Sequence, residues 1–170
     1  VDIFQKDLAA IGLKADSAIS LIMPESYVGL PFMDVDEEKK EIQKKTHANH
    51  MICAFVDHII DKDRGIFKIT RGHWPRINSR LIGHAFIKWI IGDSKFRVDP
   101  QRCIHCGKCA SVCPTDDIEW SKGECPEWKH NGKCLSCFAC YHHCPTRAIE
   151  YGNRTKDKGQ YYYEHFERNI

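Results

Sequence analysis

The string CIHCGKCASVCP, residues 103–114, returns as CLSCFACYHHCP, residues 134–145. Each reads C-x2-C-x2-C-x3-C-P, so eight of the ten cysteines stand in two copies of one spacing. No other feature of these 170 residues restricts the fold as tightly. Three thiols set two residues apart line a tight loop and point at one centre. The fourth lies beyond reach of its own loop and crosses to the other triplet, and the proline after it turns the chain away. Cys103, Cys106, Cys109 and Cys144 then surround one centre, and Cys134, Cys137, Cys140 and Cys113 a second.

Disulfides are a poor account of these thiols, because C-x2-C-x2-C crowds three sulfurs too closely. Zinc prefers paired C-x2-C knuckles to two triplets each followed by C-P. The spacing is instead the one that holds two [4Fe–4S] clusters. In such a loop backbone N–H groups face the sulfurs and stabilise their negative charge. Small residues let the loop approach the cluster, and Gly107 and Ala139 are read as matching positions.

Composition agrees with a metal staple. Hydrophobic residues make up 42% of the chain, but most long aliphatic ones precede Asp99. A small segment poor in Ile, Leu and Val needs outside support. Residues 99–170 carry ten Lys and Arg against ten Asp and Glu, and two oxidised clusters with their thiolates would make this part acidic. The formal net charge of +2 gives no ground for a nucleic-acid partner. No run of eighteen apolar residues is present, so no membrane span is expected.

Outside the strings, Cys53 lies in HANHMICAFVDHII and reads as a buried core thiol. Cys125 lies between the strings and reads as a non-ligand loop cysteine, a redox-active spare being the alternative. Trp120, Trp128, Phe138 and Tyr141 are expected to shield the clusters from water. His105, His142 and His143 are expected at the surface.

Upstream, Ala18 to Met23 reads as a short buried strand. A helix follows, capped by Asp34 or Asp36, with an apolar stripe (Ile42, Met51, Ile52, Phe55, Ile59, Ile60) and a solvated face (Lys39, Lys40, Lys44, Lys45). A strand followed by a helix is the closing unit of an α/β sheet, and one such pair cannot make the sheet, so further chain is expected upstream of Val1. RGHWPRINSR (71–80) reads as a basic loop. A second helix is expected over 78–91, broad in its apolar face and ended by Gly92. The tail RTKDKGQYYYEHFERNI is polar, with an aromatic patch at Tyr161 to Tyr163 that packs back or docks a partner.

IMPESY (22–27) before a charged helix, KFRVDPQRCIHCGKCASVCP (95–114), PEW (126–128) and CLSCFACYHHCPTRAIEYGNRTKDKGQYYY (134–163) together resemble the flavodoxin–ferredoxin fusion proteins of anaerobic bacteria and archaea. The resemblance implies an α+β chain. Residues 1–62 would be the C-terminal remnant of a flavodoxin-like α/β domain, its last β–α unit included. Residues 63–97 would be a basic loop and linker helix, 98–152 a bacterial-type two-cluster ferredoxin domain, and 153–170 a polar and aromatic tail. The phosphate loop for FMN would lie upstream of Val1, so FMN binding requires that missing part or a partner. Tyr27 would stand on the loop after the last flavodoxin strand, where a flavin ring lies, unless it only packs.

The expected function is electron transfer with a redox partner protein, which the resemblance makes flavin-containing. Alternatives are an electron-input subunit or domain of a larger oxidoreductase, and clusters with a structural or sensory role. No Ser/His/Asp arrangement, Walker loop or dinucleotide fingerprint offers a catalytic site, so whether the chain is itself an enzyme stays open. Exposed clusters need reducing, oxygen-poor surroundings, which points to a cytoplasmic location.

Overall fold

Residues 2–72, 74, 77 and 82–163 are described by the computed structural model. They fall into two units, Val1–Pro24 with Glu37–Asn78, and Glu25–Asp36 with Ser79–Ile170. Helices and small two-stranded sheets mix in an α+β arrangement.

In the first unit, helix α1 (Asp2–Ala10) precedes strand β1 (Ala18–Ile19). Helix α2 (Glu38–Ile60) then crosses to β2 (Phe67–Lys68), which pairs parallel with β1, Ala18 opposite Phe67. A parallel pair needs such a crossover, and α2 supplies it. The strand is shorter than Ala18 to Met23: past Ile19 the ladder stops, and Ile22 and Met23 are exposed.

Helix α2 differs from expectation in three ways. Its N-cap is Glu37, without a side-chain cap bond. Asp34 and Asp36 are engaged elsewhere, accepting from the backbone N–H groups of Gly159 and Glu25. The acidic Glu38 and Glu41 still oppose the positive end of the helix dipole. Secondly, the side turned inward centres on Glu41 and Ala48, with Glu41 paired to Lys45 at 3.7 Å. Lys44 and Lys45 are half-buried there, whereas Ile42, Ile52, Ile59 and Ile60 are exposed. The apolar stripe is wider than a two-strand sheet can cover. Thirdly, Cys53 is exposed rather than buried, being about 140° around the helix from Ala48.

In the second unit the first described helix is α3 (Gly83–Trp89). The helix expected over 78–91 is shorter at its C-terminal end, and residues 78–81 lie outside the described residues. So does much of the basic loop, though Trp74 is described and exposed. The broad apolar face of α3 is only partly covered: Phe86 packs on Tyr27, whereas Ile87 and Trp89 are exposed.

The duplicated strings prove to be a duplicated backbone. Strand β3 (Phe96–Val98), helix α4 (Lys108–Ser111) and strand β4 (Ile118–Glu119) are followed by β5 (Glu127–Trp128), α5 (Ala139–His142) and β6 (Ile149–Tyr151). Each later element begins 31 residues after its counterpart, as Cys134 does after Cys103. β3 pairs antiparallel with β6, and β4 with β5, so the first strand of each half joins the last of the other. Left-handed residues repeat at the same offset: His105 with Ser136, Gly107 with Phe138, Asp116 with Arg147. The counterpart of Gly107 is therefore Phe138, not Ala139.

The core of this unit is aromatic. Phe96 stacks on Trp128 at 5.5 Å and meets Phe138 at 5.3 Å and Tyr151 at 4.9 Å. Each fully buried side chain of this size contributes about 1.5–3 kcal/mol, and each ring pair about 0.5–1.5 kcal/mol more. Residues 25–36 lie over this core as a strap. Val28 is fully buried, and the Lys158 ammonium donates to the carbonyls of Val28 (2.9 Å), Leu30 and Met33 (2.6 Å). Arg154 donates to Gly29 O at 2.8 Å. The tail packs back: Gln160 reaches the carbonyls of Tyr141 and Cys144, and the rings of Tyr162 and His143 meet at 4.6 Å. Among the described residues, no helix is long and apolar enough to cross a membrane.

Candidate metal centres

The binding loops owe their shape to left-handed residues. In the first, His105 and Gly107 have φ of 55° and 70°, which curls the chain so that its thiols face one side. Cys103, Cys106, Cys109 and Cys144 line one partly open cavity. Cys144 belongs to the second string, yet stands with the first triplet. Trp120, Ile104, Val98 and Ile149 wall the cavity with apolar surface.

Gly107 is needed in this loop for two reasons. Its φ is left-handed, and a Cβ there would lie 2.7 Å from the indole of Trp120. In the other half Phe138 occupies the equivalent place against Tyr151, ring centroids 5.0 Å apart. A glycine under a tryptophan in one half thus becomes a phenylalanine against a tyrosine in the other. Gly107→Ala is expected to destabilise the unit by about 1–2 kcal/mol from backbone strain alone. The displaced Trp120 would shift its fluorescence maximum, which a denaturation series on the variant would record with the stability loss.

Donors to sulfur repeat in both halves. The N–H of Asp117 lies 3.3 Å from Cys113 Sγ and that of Ala148 lies 3.2 Å from Cys144 Sγ. Thr115 and Thr146 place hydroxyls 3.7 and 3.9 Å from the same two sulfurs. Backbone N–H groups also face Cys109, Cys134 and Cys140.

At Cys109, Cys134 and Cys140 burial outweighs these donors. Burial, then the charges of Cys144 and Cys106, pushes Cys109 up to about 11. Burial, then the charges of Asp117, Asp93 and Cys137, pushes Cys134 up to about 11. Cys140 is raised by burial and then by Cys137, Cys134 and Cys109. Thiolates packed this way require a compensating cation, and soft sulfur donors suit iron. The donor set and its N–H partners fit an iron–sulfur cluster.

Near the second set lies a carboxyl pair that sequence reading missed. Asp117 is 1% exposed and Asp93 7%. His130 holds Asp93 through ring and backbone, each at 2.9 Å, and these bonds keep the Asp93 carboxyl low despite its burial. Burial and the Asp93 charge push Asp117 up. Nothing in the sequence relates positions 93, 117 and 130, which meet only through the β4–β5 pairing and the bend after α3.

The expected insulators are unequal. Phe138 and Tyr141 are buried and Trp128 is half-buried, whereas Trp120 is 37% exposed. His142 is buried rather than at the surface: its Nε2 donates to Ser26 O at 2.7 Å, and its Nδ1 accepts from Tyr161 N–H at 3.1 Å. Those bonds fix a ring that joins the strap to the tail. Tyr27 packs edge-on against Phe138 at 5.2 Å, its hydroxyl buried without a partner among the described residues. Cys125 is half-buried and lies beside Cys103.

Residues 96–119 match the family of 4Fe-4S binding domains. That span covers the first of the two halves, from the start of β3 to the end of β4, and supports an iron–sulfur, ferredoxin-like domain here. No curated protein matches the chain.

Proposed function

We propose that the chain carries electrons through two [4Fe–4S] clusters. Cys103, Cys106, Cys109 and Cys144 would hold one, and Cys134, Cys137, Cys140 and Cys113 the other. A [4Fe–4S] cluster supplies reversible one-electron redox chemistry when bound. The observation that carries the reading is how the thiols are distributed. Cys109 and Cys140 are buried, close enough that the charge of one weighs on the other, whereas Cys106 and Cys137 are exposed.

Buried sulfurs between two centres give a short internal path, and exposed sulfurs at each give an entry and an exit. The protein's part is to hold the thiols, aim N–H groups at them and exclude water from the inner side. No proton donor or nucleophile is needed. The partner is a redox protein, and by the sequence resemblance a flavin-bearing one, either separate or joined in a longer flavodoxin-like chain. Tyr27, packed within the aromatic core, would then stand near a flavin only at its rim. Reducing surroundings such as the cytoplasm would suit the exposed thiols.

Anaerobic potentiometric titration, followed by visible absorption and EPR, tests this. Two low-potential one-electron steps with magnetic interaction between the centres are expected. Absence of reversible reduction would sink electron transfer and favour a structural or sensory role. The exposed Ile87 and Trp89 of α3 favour a second reading, an electron-input part of a larger oxidoreductase. Co-purification with a large subunit would select it.

A further inference from the structure

Cys125 belongs to neither string, yet its Sγ, that of Cys103 and a ring nitrogen of His105 all lie within 4.8 Å of one another. All three residues are half-buried. Cys103 and His105 line the first cavity, as does Pro126, the neighbour of Cys125. Nδ1 of His105 is buried and has no hydrogen-bond partner among the described residues. Two sulfurs on one tetrahedral ion stand roughly 3.8 Å apart, given metal–sulfur bonds of about 2.3 Å. The separation here, within 4.8 Å, admits that spacing.

The loop that carries Cys125 has open space at Gly123. It joins β4 to β5 through Gly123, whose φ is +88° and around which, among the described residues, nothing lies within 4 Å of a would-be Cβ. Of the two cysteines outside the strings, Cys53 is in the other unit, so the spare thiol of this site is Cys125.

We infer that Cys125 is a reserve ligand of the first metal centre, able to take the iron that Cys103 holds. The inference rests on the iron–sulfur reading above. In the exchange, Cys125 gives up its thiol proton and forms one iron–sulfur bond. Cys103 loses its bond and takes up one proton, and no electron changes hands. Damage to Cys103 by an alkylating agent would then leave the centre four-coordinated by thiolates.

Four full-length proteins test this after anaerobic reconstitution with iron and sulfide: wild type, Cys103→Ala, Cys109→Ala and Cys103→Ala with Cys125→Ala. Iron and sulfide per chain are counted on the folded fraction, with EPR of the reduced samples. Cys103→Ala is expected to keep the wild-type iron content, Cys109→Ala to lose about half, and the double variant to fall to the Cys109→Ala level. The inference is overturned if Cys103→Ala is as iron-poor as Cys109→Ala or yields no folded, loaded chain. It is equally overturned if the double variant keeps the iron of the single one. A wild type that binds no iron is seen in the first sample, and removes the underlying reading and the inference with it.

Discussion

Replacing Cys144 with alanine is expected to free the thiols of the first string, not those of the second. Cys144 sits in the second string but lines the cavity of Cys103, Cys106 and Cys109. Its loss removes one of four ligands from that centre, and iron and sulfide per chain should fall by about half. Cys106 and Cys137 are both exposed and serve as matched reporters. In the anaerobically loaded variant Cys106 should become open to alkylation, read by mass spectrometry, while Cys137 stays protected. The reverse pattern would mean that each string ligates its own centre and would refute the crossed assignment.

A second large effect is expected at Lys158. Lys158→Met keeps the length of the side chain and removes the ammonium that three strap carbonyls share. Those carbonyls then lose a charged donor in a nearly closed site, Lys158 being 9% exposed. Leaving a buried acceptor without its donor costs about 1–3 kcal/mol for each carbonyl. With a slope of roughly 2 kcal/mol per molar, the urea midpoint followed by cluster absorption should drop on the order of 1–2 M. Arg154→Met gives up a single bond to Gly29 O and should shift it much less. Equal shifts would show that the strap is not held by the lysine.

Spacing alone made the metal-binding half legible, because four thiols at fixed offsets leave few ways to surround one centre. The duplication of strands and helices follows from the same offset. What stayed illegible depended on contacts distant in sequence. Local sequence places the strap in an α/β unit because IMPESY borders an apolar run, and nothing local tells that Lys158 and His142 bind its carbonyls. Asp34 and Asp36 looked like helix caps for a similar reason: the cap signal is local, and the competing N–H of Gly159 lies 125 residues away. Periodicity found α2 but overstated its buried face, since a stripe records what a helix can bury and not what lies opposite it. His142 and Cys53 exchanged the surroundings assigned to them, one buried by the tail and the other exposed by helix rotation.

The two halves share cysteine spacing and backbone but not their lining, and on the two-cluster proposal that difference sets a direction. One centre has glycine beneath a partly exposed tryptophan. The other is closed by Phe138 and Tyr151, each no more than 1% exposed, with the Asp93 and Asp117 charges bearing on Cys134. Low polarity and nearby negative charge both make added negative charge harder to hold. An electron shared between the halves should therefore rest at the more open one, and the unequal packing would act as a downhill step from the closed side toward the solvent-facing side.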